Sequence, residues 1–199
     1  MIISHKHRFV FIQVPRTASS FLGAYFFDHY SGEIVADKHS TYRQFLKNAS
    51  EEEKTYKVII GKRHPLDKTV TLYARIRPNQ HKSGVALEEI QKDFENWLLK
   101  QSLKRKSVRS VQHLKDSYPY ADHVISQENL KEDLTLALNS MGLELADDLI
   151  WKHRTNSKQF HYTQYYSEHT RPIVLRTFRK EMEQLDYAPP PGWEKYLIS

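Results

Sequence analysis

Cysteine is absent from this chain, glycine occurs six times in 199 residues, and no apolar run approaches the ~18 residues that a membrane span requires. The first absence excludes thiol catalysis, cysteine-ligated zinc and a disulfide framework, and fits a reducing compartment. The second leaves no glycine-rich phosphate loop: nothing reads G-x-x-x-x-G-K-[ST], and no G-x-G-x-x-G follows an expected strand. Ordinary nucleoside triphosphate hydrolysis and a Rossmann dinucleotide site are both disfavoured. The stretch Met1 to Arg8 lacks the long apolar region and small-residue cleavage site of a signal peptide, so the expectation is a cytoplasmic protein without a membrane span.

What is present is the balance of a globular protein, 39% hydrophobic and 27% charged, which excludes disorder and a collagen-like chain. A chain of this size buries roughly 70% of its unfolded surface and needs no staple to hold a core, so a single domain over 1–199 is expected. Thirty Lys and Arg against 24 Asp and Glu give a net charge of +6, which favours an anionic partner without choosing among nucleotide, nucleic acid and acidic glycan.

Arg8 to Val14 is a β-branched and aromatic run stopped by Pro15 and reads as a buried strand. The small, hydroxylic turn Thr17-Ala18-Ser19-Ser20 follows, and then an apolar helix over Phe21 to Phe27. Tyr56 to Gly61, the turn Lys62-Arg63-His64-Pro65 and a helix over Leu66 to Arg77 repeat that grammar, with Pro65 suited to a first helical turn. Glu33 to Ser40 reads as strand and loop, and Thr41 to Asn48 as a short helix. Leu87, Ile90, Phe94, Trp97 and Leu98 make one stripe of a helix over Val85 to Leu103. His123 to Ser126 reads as a strand and Leu130 to Met141 as a helix closed by Gly142. A last helix is expected from an N-cap at Ser167 to the Pro189-Pro190-Pro191 tail, and Tyr162, Tyr165 and Tyr166 read as core. Strands alternating with helices predict an α/β domain with a central, mostly parallel sheet flanked by helices, whose ligands bind beyond the carboxyl ends of the strands.

Both turns lie at that edge. A turn feeding a helix N-terminus offers backbone N–H groups and partial positive charge to a phosphate or sulfate. Pro15 to Ser20 adds the Arg16 guanidinium and three hydroxyls, and the second turn adds Lys62, Arg63 and His64, with Thr71 further along its helix. Two such cradles suit a ligand with two separated phosphates. The hydroxyls also suit plain helix caps, and Thr71 also suits a helix surface.

These residues resemble a known family. Phe11 to Leu22, with Pro15-Arg16-Thr17-Ala18-Ser19-Ser20 at its centre, is similar to the 5′-phosphosulfate loop P-K-T-[AG]-[SG]-[ST] of sulfotransferases that use 3′-phosphoadenosine-5′-phosphosulfate (PAPS). Val58 to Tyr73 resembles their 3′-phosphate motif R-[DH]-P-x-[ED]-[RK]-x-x-S-x-Y, and Val124 to Leu134 their segment V-I-x-x-E-N-L-x-x-D-L, in the family's order. Lys38-His39-Ser40-Thr41-Tyr42 is similar to the G-H-x-x-Y segment that carries the catalytic base in the carbohydrate branch, which includes the heparan 2-O-sulfotransferases. Arg16 stands where the family has lysine and Thr71 where it has serine; a planar guanidinium places its charge differently from an ammonium.

The resemblance implies the P-loop-like three-layer α/β sulfotransferase fold and in-line transfer of a sulfuryl group from PAPS to a hydroxyl, most plausibly of a carbohydrate, with PAP as product and no metal. It implies Arg16, Thr17, Ala18, Ser19, Ser20 and Phe21 around the 5′-phosphosulfate, Arg63 and Thr71 on the 3′-phosphate, and His39 as general base, with Asp37 and Glu33 as alternative bases. Three other readings stand beside it: a P-loop-like nucleotide kinase, a basic nucleic-acid-binding module using Lys104 to Arg109, and a sulfotransferase fold retained for binding alone. A basic helix end such as 104–109 is more often merely solvated.

Overall fold

The computed structural model describes residues 1–81, 84–102, 111–146 and 160–197, and the readings placed on 104–109 lie outside them. The chain is α/β, with a five-stranded sheet and, among the described residues, seven α-helices. It divides into two compact units, Met1–Arg63 with Val111–Arg154 and His64–Ser110 with Thr155–Ser199.

The first unit holds the sheet. Its strands are β1 (Ile2–Ser4), β2 (Phe9–Ile12), β3 (Glu33–Ile34), β4 (Lys57–Lys62) and β5 (His123–Ser126), in the order β3-β1-β2-β4-β5. β2, β4 and β5 pair in parallel, Val10 opposite Val58 and Ile60 opposite Val124. β1 runs antiparallel to both of its neighbours, with Ile3 opposite Val10 and Glu33. Four strands therefore share one direction and β1 alone is reversed.

Strand alternation divides the apolar side chains between two faces. Ile2, Phe9, Phe11, Ile59 and Ile125 pack with Leu22 and Phe26 of α1 (Ser19–His29) and with Leu130, Leu134 and Leu138 of α6 (Leu130–Ser140). Ile3, Val10, Ile12, Val58 and Ile60 pack with Tyr42 and Phe45 of α2 (Tyr42–Phe45) and with Tyr118. Helices cover both faces, which explains why β2 and β4 read as unbroken apolar runs rather than alternating ones.

Local chemistry sets the boundaries. Thr41 and Gln44 form a capping box that starts α2. Gly142, at φ 73°, closes α6 with its N–H on Asn139 O, and Leu143 N–H reaches back to Leu138 O. At the far end of that motif the Asp133 carboxylate accepts from Ser126 N–H at 2.7 Å, tying the end of β5 to the first turn of α6.

The second unit is built on α3 (Pro65–Ile76), α4 (Leu87–Trp97) and α7 (Thr170–Gln184), around Tyr73, Ile90, Phe94, Tyr165, Tyr166, Val174 and Phe178. The α4 stripe and the tyrosine pair are core, as their spacing predicts; Tyr165 and Tyr166 are fully buried. α7 starts two residues later than expected: its N-cap is His169, while Ser167 Oγ accepts from Thr170 N–H at 3.3 Å and donates to Glu95 at 2.7 Å. Within the same core, Lys68 and Glu181 form an ion pair, each almost fully buried.

Candidate functional site

The turn after β2 carries the strongest local signature. Arg16 and Ala18 both hold left-handed backbone conformations, at φ 66° and 58°, in a segment without glycine. A non-glycine residue there costs about 1–2 kcal/mol, and alternation of left-handed with other conformations is the backbone pattern from which anion-binding nests are built. Ala18 is the N-cap of α1 and makes no side-chain cap bond. The turn's hydroxyls do not cap the helix in its place: Thr17 is buried and its Oγ1 donates to Val14 O at 3.0 Å, pinning the loop to the end of β2.

Glycine is required elsewhere, on the neighbouring strand. A Cβ built on Gly61 of β4 would stand 2.6 Å from Thr17 Oγ1 and 2.9 Å from Thr17 O. Only glycine lets the loop lie flat against the strand. Gly23 plays the same part inside α1, where a Cβ would meet Gln13 Nε2 at 2.4 Å.

Cationic side chains gather on the loop. Arg16 belongs to it, Arg63 Nη1 donates to Arg16 O at 3.3 Å, and Lys38 Nζ donates to Ser20 Oγ at 2.8 Å. The helix N-terminus adds its partial positive charge. Buried Gln13 organises the surroundings, its Nε2 donating to Ser19 O at 2.9 Å. The carbonyl of Gln13 meets His39 Nδ1 at 2.7 Å. With Nδ1 donating to that carbonyl, the neutral imidazole keeps its lone pair on Nε2, the tautomer a general base needs.

The structure thus brings together Arg16, Thr17, Ala18, Ser19, Ser20, Phe21, Arg63 and His39. Two expectations for the second turn are revised. His64 is buried and occupied as the N-cap of α3, its Nδ1 accepting from Leu66 N–H at 3.2 Å and its Nε2 facing Ala188 O at 3.3 Å. Thr71 is buried rather than on a helix surface, and its hydroxyl donates to Asp67 O of the preceding turn at 3.0 Å. It belongs to the second unit, whereas Arg63 belongs to the first.

Gln13 and Lys38 are what sequence reasoning misses. Gln13 looks like one polar residue inside an apolar strand, and that oddity is its only signal. Lys38 sits beside His39 in a segment singled out for the histidine, and nothing in one dimension puts it on Ser20. Among the described residues there is no group of three or more His, Asp or Glu that could hold a metal, and no helix long and apolar enough to cross a membrane. Comparison of the chain with family models, with curated proteins and with solved structures finds no match in any of the three.

Proposed function

We propose that the chain is a PAPS-dependent sulfotransferase of the P-loop-like α/β kind, transferring a sulfuryl group to an acceptor hydroxyl. The observation that carries this reading is the glycine-free loop at the start of α1, which contains Arg16, has left-handed residues at Arg16 and Ala18, and accepts hydrogen bonds from Arg63 and Lys38. Single left-handed residues also occur at the turns of Arg8, Ser31 and Asp186; what marks this loop is two of them one residue apart, with Arg63 and Lys38 donating to it.

The donor, PAPS, supplies an activated sulfuryl group on a phosphate. In this reading the backbone of residues 16–21 and the Arg16 guanidinium hold the phosphosulfate, and Arg63 takes the 3′-phosphate. Thr71 enters through the family resemblance alone. His39 Nε2 accepts the proton of the acceptor hydroxyl as its oxygen bonds to sulfur and the sulfur–oxygen bond to the 5′-phosphate breaks; the bisphosphate PAP leaves. Negative charge grows on the leaving phosphate oxygen, where Arg16 and the helix N-terminus stabilise it, so catalysis consists mainly of positioning and electrostatics.

Calorimetric titration with PAP, adenosine 5′-phosphosulfate, ATP with magnesium, and a DNA duplex tests the reading on wild type and Arg63→Ala. PAP binding that Arg63→Ala weakens by about tenfold or more, with poor binding of the ligand lacking a 3′-phosphate, is the expected result. A folded wild type that ignores PAP overturns it, and binding of ATP or of the duplex instead selects the kinase or the nucleic-acid reading.

A further inference from the structure

Beside the loop, within the same unit, an open groove of about 760 Å³ runs between α1 and the segment that leaves β3. Its walls are Ala24 and Phe27, one helical turn apart, and Ile34, Val35 and Ala36. Phe27 is 53% exposed and Ile34 75%, although both are large apolar side chains on an ordered helix and strand. Apolar surface left open as a concave face, and not scattered singly, marks a contact surface. The volume lies within the range of small-molecule sites.

The groove has a direction. Ser20 begins the exposed side of α1 and Phe27 lies seven residues on, about 10 Å along the axis. The segment opposite runs the other way, so Lys38 meets Ser20 at the loop end while Ile34 lies toward the Phe27 end. His39, held on Gln13 O, follows Lys38 directly. The polar end of the groove is therefore the end at the proposed transfer site, and the apolar remainder leads away from it.

Charge selects the occupant. Among the described residues lining the groove, Lys38 and Asp37 carry side chains of opposite charge, and the Met1 α-amino group, its pKa lowered by burial to about 6, donates to Gln13 Oε1, Ala36 O and Asp37 O. A polyanionic glycan would find Lys38 balanced by Asp37 and the Met1 amine largely neutral near pH 7, and would leave its own charges facing Ala, Val, Ile and Phe, a costly desolvation. We infer that the groove is the acceptor site and that the acceptor is an alcohol whose hydroxyl is carried on an uncharged, largely apolar body about 10 Å long. This inference rests on the sulfotransferase reading and narrows it, moving the substrate class away from carbohydrate.

The test uses PAP as donor-site probe and 2-naphthol as acceptor probe, titrated calorimetrically on wild type, Ala24→Glu and Ile34→Glu, with a heparin-type oligosaccharide as competitor. Both substituted positions are exposed, so the variants keep the fold. The expected result is 2-naphthol binding that either variant weakens by about tenfold or more while PAP affinity stays within about twofold, and no competition from the oligosaccharide. PAP binding without 2-naphthol binding, or 2-naphthol binding indifferent to both variants, overturns the groove assignment alone. Absence of PAP binding overturns the donor reading and the acceptor role with it. Sedimentation of wild type as a dimer that Ile34→Glu dissociates would show a second copy in the groove and overturn the assignment too.

Discussion

Adding one methyl group to Gly61 should damage both the fold and the anion loop. The new Cβ would lie 2.6 Å from Thr17 Oγ1 and 2.9 Å from Thr17 O. Rotating Thr17 relieves the first clash but breaks its 3.0 Å hydrogen bond to Val14 O, worth about 1 kcal/mol. The second clash is with backbone, and only displacement of the strained loop relieves it, at the ~1–3 kcal/mol typical of overpacking. Alanine restricts the unfolded chain and returns ~0.4–1 kcal/mol, leaving a net loss of about 1–3.6 kcal/mol. At roughly 2–4 °C per kcal/mol, Tm should fall by roughly 2–14 °C. Because the displaced segment carries Arg16 and the first N–H groups of α1, PAP affinity should fall by about tenfold or more in the same variant. Thermal unfolding followed by circular dichroism and a calorimetric PAP titration read the two effects. Thr17→Ala in the same background removes the nearer clash only, so the double variant should be more stable than additivity predicts by at least about 0.5 kcal/mol. Gly61→Ala with wild-type Tm and wild-type PAP affinity would refute the close packing of loop on strand.

Three further outcomes follow from the same geometry. Ala18→Gly removes a left-handed penalty of about 1–2 kcal/mol at the cost of ~0.4–1 kcal/mol of chain entropy, so denaturant unfolding should show a gain of up to about 1.6 kcal/mol; a loss would mean that Ala18 is not strained. In the second unit, Lys68→Met and Glu181→Gln should each cost about 3–5 kcal/mol by stranding a buried charge, while Lys68→Met with Glu181→Leu should recover most of that; an additive double variant would contradict the pairing. Hydrogen bonds from His169 and then Ser167 hold the Glu95 carboxyl below its usual 4.5. A depressed carboxyl stabilises above its unfolded pKa and loses that contribution as pH falls through the folded value, so the stability gap between wild type and Glu95→Gln in urea should narrow below about pH 4.5. A gap that stays constant from pH 7 to pH 3 would remove Glu95 from the acid response.

The elements legible in one dimension are those whose local chemistry agrees with their tertiary fate. β2 and β4 are apolar because both faces of the sheet are covered, and the turns after them are punctuated by Pro15 and Pro65. β1 escapes notice because Ile2-Ile3-Ser4 is too short to show a period and is a strand only through its pairing with β2 and β3. β3, two residues long, opens the stretch Glu33 to Ser40 that reads as strand and loop, and α5 (Val111–Asp116) has too few apolar residues to show a stripe. Within the site, Arg16 and Arg63 declare themselves by lying in turns between strand and helix. Gln13 and Lys38 do not, because their partners, Ser19, His39 and Ser20, are fixed by how the chain folds back and not by spacing. Thr71 shows what spacing alone leaves open. A hydroxyl on a helix suggests an outward donor, yet burial turns it onto the carbonyl one turn behind.

The route of the chain through its two units has a consequence for any attempt to dissect it. The first unit takes its sheet from Met1–Arg63 but its last strand and α6 from beyond Val111, and the second takes α3 and α4 from before Ser110 and α7 from after Thr155. A break near residue 105 removes β5 from beside β4 and, in the same stroke, α7 with its Glu181 from the partner of Lys68, whereas a cut after Arg154 keeps every segment of the first unit and splits only the second. During synthesis, β4 waits for more than fifty further residues before its parallel neighbour exists, so the pairing of Ile60 with Val124 is a late, long-range closure. Fragments that end near residue 105 should therefore be insoluble or unfolded, and a fragment ending at Arg154 is the shortest that keeps every segment of the unit carrying the loop at Arg16.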